Sequence, residues 1–190
     1  IIMNISVVIP TYNRKLILKK CLLALENQLL NNRIISYEII VIDDGSTDGT
    51  TNWIAENKET LPHVVLYEQS HGGPASARNL GVLKSKNEII IFIDSDLIVV
   101  NNFLISHVDK LYKYWEKFNK NCFTYGSVIN TSNFENPENE NFKITDISYA
   151  YFATGNVAIS RELLLKVGLF DNSFSLYGWE DLELGERLKQ

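Results

Sequence analysis

Four short apolar runs, each ending in a small cluster of polar residues, constrain this chain more than any other feature. They are "NISVVIP" (4–10), "YEIIVID" (37–43), "HVVLYE" (63–68) and "EIIIFID" (88–94). Runs this rich in Ile and Val, with little polar alternation, mark strands covered on both faces. Helix signals lie between them. Leu18, Cys21, Leu22, Leu25 and Leu29 recur with helical spacing after the first run. "DGSTDGT" supplies turn and cap chemistry ahead of "TNWIAENKE", and "GGPASARNLGVLKS" is a Gly-rich loop entering a third helix. Strand and helix alternate with short links, so the fold expected is α/β with a largely parallel sheet.

Beyond residue 100 the pattern loosens. A helix is expected around 102–118, a strand in "CFTYGSVI" (122–129), and a strand and helix in "GNVAISRELLLKVGLFD" (155–171). The stretch 130–143 is polar, with few apolar anchors, and reads as a mobile loop within one domain spanning 1–190. The last residues, "EDLELGERLKQ", stop inside a helical pattern, which suggests a domain cut from a longer chain. A net charge of −5 excludes a broad basic field for nucleic acid. Cys21 and Cys122 sit in apolar surroundings without CxxC or His spacing, so they read as core thiols of a reducing, cytoplasmic compartment. No apolar run reaches the length of about eighteen residues that a membrane span needs. Any membrane association is then peripheral, at the inner face, through regions outside this sequence.

In an open parallel sheet, ligands bind beyond the carboxyl ends of the strands. There the runs lead into "PTYNR" (10–14), "DDGS" (43–46), "SHGG" (70–73) and "DSD" (94–96). "DGS" reads equally as a turn with a helix cap, and "GGP" equally as a plain loop. The gathering of Asp43, Asp44, Asp94 and Asp96 with an arginine at one edge is harder to assign to packing. Close carboxylates repel unless a cation lies between them, and their oxygens suit Mg²⁺ or Mn²⁺ bridging to a diphosphate. Arg78 and the helix start near Pro74 offer positive potential for that diphosphate. A solvated Arg78, or one paired with Glu88, fits the spacing as well.

A second cluster is "SLYGWEDLELGERL" (175–188). On a helix of about 3.6 residues per turn, Asp181 falls on the stripe of Leu184 and Leu188, while Glu180 falls on the adjoining, exposed face. A partly desolvated carboxylate at a site's edge is suited to act as general base for a hydroxyl. Trp179 before it offers a flat apolar face, in a core or against a sugar.

Taken together, "VVIPTYNR", "YEIIVIDDGSTDGT", "GGPASARNLGV", "IIIFIDSD", "TGNVAISRELLLKVGLFD" and "YGWEDLELGERL" closely resemble the family 2 glycosyltransferases. The last two pieces also look like the C-terminal part of galactosyl- and N-acetylgalactosaminyl-transferases. The resemblance implies the GT-A fold, a Rossmann-like sheet flanked by helices, and an inverting, metal-dependent transfer in polysaccharide biosynthesis. A nucleotide-sugar donor, a UDP-sugar by this resemblance, would give its sugar to a glycan or lipid-linked hydroxyl. Carried over residue by residue, Pro10, Thr11, Tyr12 and Arg14 would meet the nucleoside, with the Tyr12 ring on uracil. Asp43 would accept from the uracil ring. Arg78 and Asn79 would flank the nucleotide and diphosphate, with Asn79 reaching toward the sugar. Asp94 and Ser95 would lie at the ribose, and Asp96 would hold Mn²⁺ or Mg²⁺. Gly155 and Asn156 would border the sugar pocket, Asp181 would be the base, and Glu180 and Trp179 would shape the acceptor site.

One departure stands out. Many GT-A enzymes place a metal-ligating His after the acidic helix, and here no His follows His107. Either that ligand lies outside this sequence, or Asp96, the diphosphate and water hold the metal. The main competing enzyme is a HAD-type phosphatase, with Asp94 as nucleophile and Asp96 as acid. That family usually carries its motif on the opening strand, whereas this motif ends the fourth. A dehydrogenase would need GxGxxG after the first strand, and none is there. The remaining alternative is a non-catalytic module that binds sugar nucleotides or glycans, against which the acid at 181 argues.

Overall fold

The computed structural model describes residues 2–133, 135–146, 150–174 and 178–190. Residues 175–177, which open the second acidic cluster, and 147–149, at the end of the polar loop, lie outside the described residues. The first half alternates as expected: β1 (Met3–Thr11), α1 (Lys15–Glu26), β2 (Ile34–Asp43), α2 (Thr50–Glu56), β3 (Val64–Glu68), α3 (Pro74–Lys84) and β4 (Ile89–Ile93). The second half is α4 (Phe103–Trp115), β5 (Phe123–Tyr125), β6 (Asn156–Ser160), α5 (Arg161–Val167) and α6 (Trp179–Leu188). The strands form one six-stranded sheet in the order β3-β2-β1-β4-β6-β5. β1 pairs in parallel with β2 and β4, and β2 with β3, while β6 runs antiparallel to both β4 and β5.

The apolar runs follow from burial on two sides. Ile89, Ile91 and Ile93 of β4 face one core with Leu18, Leu22 and Leu25 of α1 and Leu104, Val108 and Leu111 of α4. Ile90 and Phe92 face the other core, with Val82 of α3, Leu164 of α5 and Leu184 of α6. Both faces being dry, no position in β4 admits a polar residue until the chain leaves the sheet at Asp94. Each of these side chains contributes about 1.5–3 kcal/mol of burial.

Gly81 sets the height of α3 above the sheet. A Cβ there would lie 2.3 Å from Cγ1 of Val8 in β1, so the helix backbone rests directly on the strand. That contact draws Arg78, one turn nearer the helix start, down toward the carboxyl edge of the sheet.

Three expectations change. Leu29 lies past the end of α1 and is 54% exposed, because the helix stops at Glu26. The expected strand at 122–129 keeps only Phe123–Tyr125, which pairs with the middle three residues of the five-residue β6. The helix expected over 102–118 is trimmed at both ends. The polar stretch 130–143 carries a short 3-10 turn at Pro137–Asn139.

Candidate active site

The edge at the ends of β1 and β2 is built from two facing residues, Thr11 and Asp43. Both are buried, and each keeps one side-chain oxygen without a partner, Thr11 Oγ1 and Asp43 Oδ2. The other oxygen of Asp43 accepts from the Ser46 backbone N–H at 2.6 Å. An unsatisfied buried acceptor costs about 1–3 kcal/mol, and more when charged. Pro10, half-buried, pairs with Ile42 just before this edge. The next loop is locked to the "DGS" turn: the Asn13 N–H donates to Ser46 Oγ (2.8 Å), and Asn13 Oδ1 accepts from the Thr47 N–H (2.7 Å).

Asp44 does different work from Asp43. Its Oδ1 accepts from Gln69 Nε2 (2.6 Å) and the Gly72 N–H (2.8 Å), and its Oδ2 from the Gly73 N–H (2.9 Å). It also pairs with His71 Nδ1 at 2.8 Å. Asp44 therefore ties the loop 69–73 to β2 by taking up the Gly72 and Gly73 N–H donors ahead of α3. Held in this way, the His71 ring stacks on the exposed Tyr12 ring, with centroids 4.2 Å apart. His71 was not anticipated; its place beside the "GG" pair was the only signal.

Arg78 is the centre of the site. It is neither solvated nor paired with Glu88; it is 3% exposed and lies between two elements. Nη2 donates to Asp94 Oδ1 at 3.0 Å, and Nη1 donates to Glu180 Oε1 at 3.2 Å. Asp181 Oδ1 lies 3.8 Å from Nη1, and Nε has no partner. One guanidinium thus faces three carboxylates, one from the end of β4 and two from the first turn of α6.

Glu180 corrects the sequence reading. Expected on an exposed face, it is 4% exposed, more deeply buried than Asp181. α6 packs its first turn against Arg78 as well as against the core, so two adjacent positions both point inward. Asp181 is clamped by Thr154: the Thr154 N–H donates to Oδ2 at 2.8 Å, and its hydroxyl lies 2.9 Å from the same oxygen. Burial pushes the Asp181 carboxyl above the usual aspartate range, although Arg78 and the Thr154 bonds pull it down. Thr154 was not singled out either, though it opens the "TGN" stretch.

The cleft beside this cluster is lined by Arg14, Asp94, Asp96, Gly155 and Asn156 among others. A Cβ on Gly155 would come to 3.5 Å from Asp94 Oδ2, so the chain passes close to that carboxylate. Ser95 is buried between the two acids, and Asp96 is half-exposed and ion-paired with Arg14. Asn79 stands apart from the expected role. Its Nδ2 donates to the Phe170 carbonyl (2.8 Å) and its Oδ1 accepts from the Phe170 N–H (2.9 Å), so it holds the segment after α5 in place. Trp179 is 55% exposed at the start of α6.

Among the described residues, no group of three or more His, Cys, Asp or Glu side chains could hold a metal ion. What the cleft offers is a hard carboxylate donor at Asp96, suited to Mg²⁺ or Mn²⁺ only where a ligand and water complete the shell. No helix among the described residues is long and apolar enough to cross a membrane.

Solved structures share this architecture. Staphylococcus aureus TarS 1-349 in complex with UDP-GlcNAc matches with a TM-score of 0.69 and 21% identity, over 98% of this chain and 53% of that one. The mannosyltransferase PcManGT from Pyrobaculum calidifontis, in complex with GDP-Man and Mn²⁺, matches with a TM-score of 0.72 and 21% identity, over 99% of this chain and 52% of that one. The mixed sheet flanked by helices is the GT-A fold. The profile of "Glycosyl transferase family 2" matches residues 6–170, and the chain belongs to that family. The chondroitin synthase of Pasteurella multocida (strain Pm70) is 28% identical over 97% of this chain, which spans 23% of that relative's length. Family membership removes the phosphatase and dehydrogenase alternatives.

Proposed function

We propose that the chain is the donor-binding and catalytic domain of an inverting glycosyltransferase. It transfers a sugar from a nucleoside diphosphate, UDP by preference, to a hydroxyl of a glycan or lipid-linked acceptor in polysaccharide synthesis. The observation that carries this reading is the Arg78 cluster, which joins Asp94 at the ligand edge of the sheet to Asp181 and Glu180 on α6. A strand end suited to the donor and a partly desolvated carboxylate suited to a base are thereby held beside one guanidinium.

In this mechanism Thr11 Oγ1 and Asp43 Oδ2, buried and unpaired, meet polar groups of the base, and Tyr12 covers its face. Asp94 and Ser95 border the ribose. Thr154 fixes Asp181 so that the carboxylate accepts the proton of the acceptor hydroxyl. The freed oxygen attacks the anomeric carbon as the bond from that carbon to the diphosphate oxygen breaks. A single displacement inverts the configuration, and the charge leaves with the nucleotide. Arg14, ion-paired with Asp96 on the cleft wall, would meet the nucleotide there. Asp96 would hold a divalent cation there, and such an ion would supply positive charge to offset that of the departing nucleotide. Glu180 keeps Arg78 in place and, with Trp179, borders the acceptor.

The TarS and PcManGT structures hold UDP-GlcNAc and GDP-Man respectively, which supports a nucleotide-sugar donor. The likeness of "GNVAISRELLLKVGLFD" and "GWEDLELGERL" to galactosyl- and N-acetylgalactosaminyl-transferases favours UDP-galactose or UDP-GalNAc. The test is release of UDP from a panel of UDP-sugars, with and without Mn²⁺. Release from at least one donor, rising when a glycan acceptor is added, supports the reading. No release from any donor, with hydrolysis of a phosphomonoester instead, overturns it.

A further inference from the structure

His107 takes no part in the mechanism above, yet both its ring nitrogens are engaged in a buried relay. It projects from α4, with Nδ1 2.7 Å from Thr124 Oγ1 of β5 and Nε2 2.8 Å from Asn156 Oδ1 at the start of β6. An amide oxygen only accepts, so Nε2 carries the proton and Nδ1 accepts from the Thr124 hydroxyl. The reverse arrangement would turn the amide oxygen toward the Ser127 carbonyl, which lies 3.5 Å from Asn156 Nδ2, and would set two acceptors face to face. The ring is neutral near pH 7. Burial pushes it down to about 4, with Lys110 adding to burial and the bond to Asn156 opposing it. Phe103 packs edge-on against the same ring.

The other side of Asn156 is equally constrained. A Cβ on Gly126 would lie 2.3 Å from Asn156 Nδ2, so only glycine lets the amide sit there. The Gly126 N–H donates to the Asn156 carbonyl at 3.1 Å, and Asn156 pairs with Ile93, the residue before Asp94. Its amide therefore has one orientation, on the wall of the cleft that carries Arg14, Asp94 and Asp96.

We propose that His107 is a positioning residue for the donor sugar. Through the Thr124–His107–Asn156 relay it holds Oδ1 of Asn156 inward and keeps Nδ2 beside the Ser127 carbonyl, where its second N–H donates to an oxygen of the sugar being transferred. The inference rests on the reading of Asn156 as part of the sugar pocket. It adds a residue outside the cleft that determines whether the pocket presents a donor or an acceptor at that point.

The test compares UDP with UDP-GalNAc by calorimetric titration of the 190-residue chain. His107→Phe keeps the ring volume and removes both polar contacts. UDP affinity is expected to hold, while UDP-GalNAc weakens about three- to tenfold, the loss of one hydrogen bond. His107→Gln, whose amide can still donate to Asn156, is expected to recover part of that loss. If His107→Phe leaves both ligands unchanged, or weakens both in equal proportion, the role is only structural and the proposal fails. Asn156→Ala separates the premise from the relay. If it leaves the preference for UDP-GalNAc over UDP intact, the sugar-pocket reading is wrong. If it removes the preference while His107→Phe does not, only the relay is wrong. The ¹⁵N spectrum of the imidazole is expected to show the Nε2–H tautomer, and an Nδ1–H signature overturns the assignment.

Discussion

Replacing Arg78 with Met removes the charge while keeping a side chain of similar length in the gap above Phe170. The guanidinium is 3% exposed and faces Asp94 at 3.0 Å, Glu180 at 3.2 Å and Asp181 at 3.8 Å. Removing one partner from a buried ionic cluster costs about 3–5 kcal/mol. The Asp94 and Asp181 side chains keep 29% and 16% exposure, so water relieves part of the repulsion and the lower figure applies. A loss of about 3 kcal/mol corresponds to a Tm lowered by about 6–12 °C in a domain of this size. The deficit also depends on pH. Arg78 opposes the upward push of burial on Asp181, so its loss moves that carboxyl further up. The folded variant then takes up a proton at a pH where the unfolded chain does not, and its stability recovers as pH falls through the raised value. Urea unfolding of both proteins at pH 7.5 and pH 5 measures this. A deficit under 1 kcal/mol, or one that does not narrow at the lower pH, refutes the picture of a charge centre.

Other changes probe single links of the account. Gly81→Ala drives a methyl into Val8 and is expected to lower stability by about 1–3 kcal/mol in thermal unfolding, with recovery when Val8→Ala is added. Thr154→Val keeps the shape but loses the hydroxyl bond to Asp181. Because that bond helps hold the Asp181 carboxyl down, the acid limb of the kcat/KM profile is expected to move to higher pH. His71→Ala removes the ring stacked on Tyr12 and is expected to weaken UDP about three- to tenfold by titration, with little change in Tm.

The parts of the fold legible in the sequence are those where one force acts alone. β4 is apolar at every position because both its faces are dry, and "IIIFI" admits no other reading. β6 gives a strand signal too, but its antiparallel direction depends on where the chain returns after the 130s loop, which no local pattern encodes. The α6 helix shows the limit of periodicity. Its phase places Asp181 inward, but an amphipathic stripe assumes one buried face, and α6 has a second partner in Arg78 that draws Glu180 in as well. Arg78 itself was ambiguous because spacing along α3 cannot show that Gly81 brings the helix down onto β1. Asp43 and Asp44, neighbours with equal claims in the sequence, separate only when the loop 69–73 folds back onto Asp44. His107 carries no local signal of its place, because its partners lie 17 and 49 residues away along the chain.

The central claim is that Asp181 is the base. Asp181→Asn keeps the size and the Thr154 contact but cannot accept the proton. UDP and UDP-GalNAc are expected to bind within about threefold of the parent, while transfer falls about 10²–10⁴-fold, the usual contribution of a general base. Transfer retained at near-parental rate, with binding unchanged, contradicts the account and moves the role to Glu180 or to a group elsewhere in the chain.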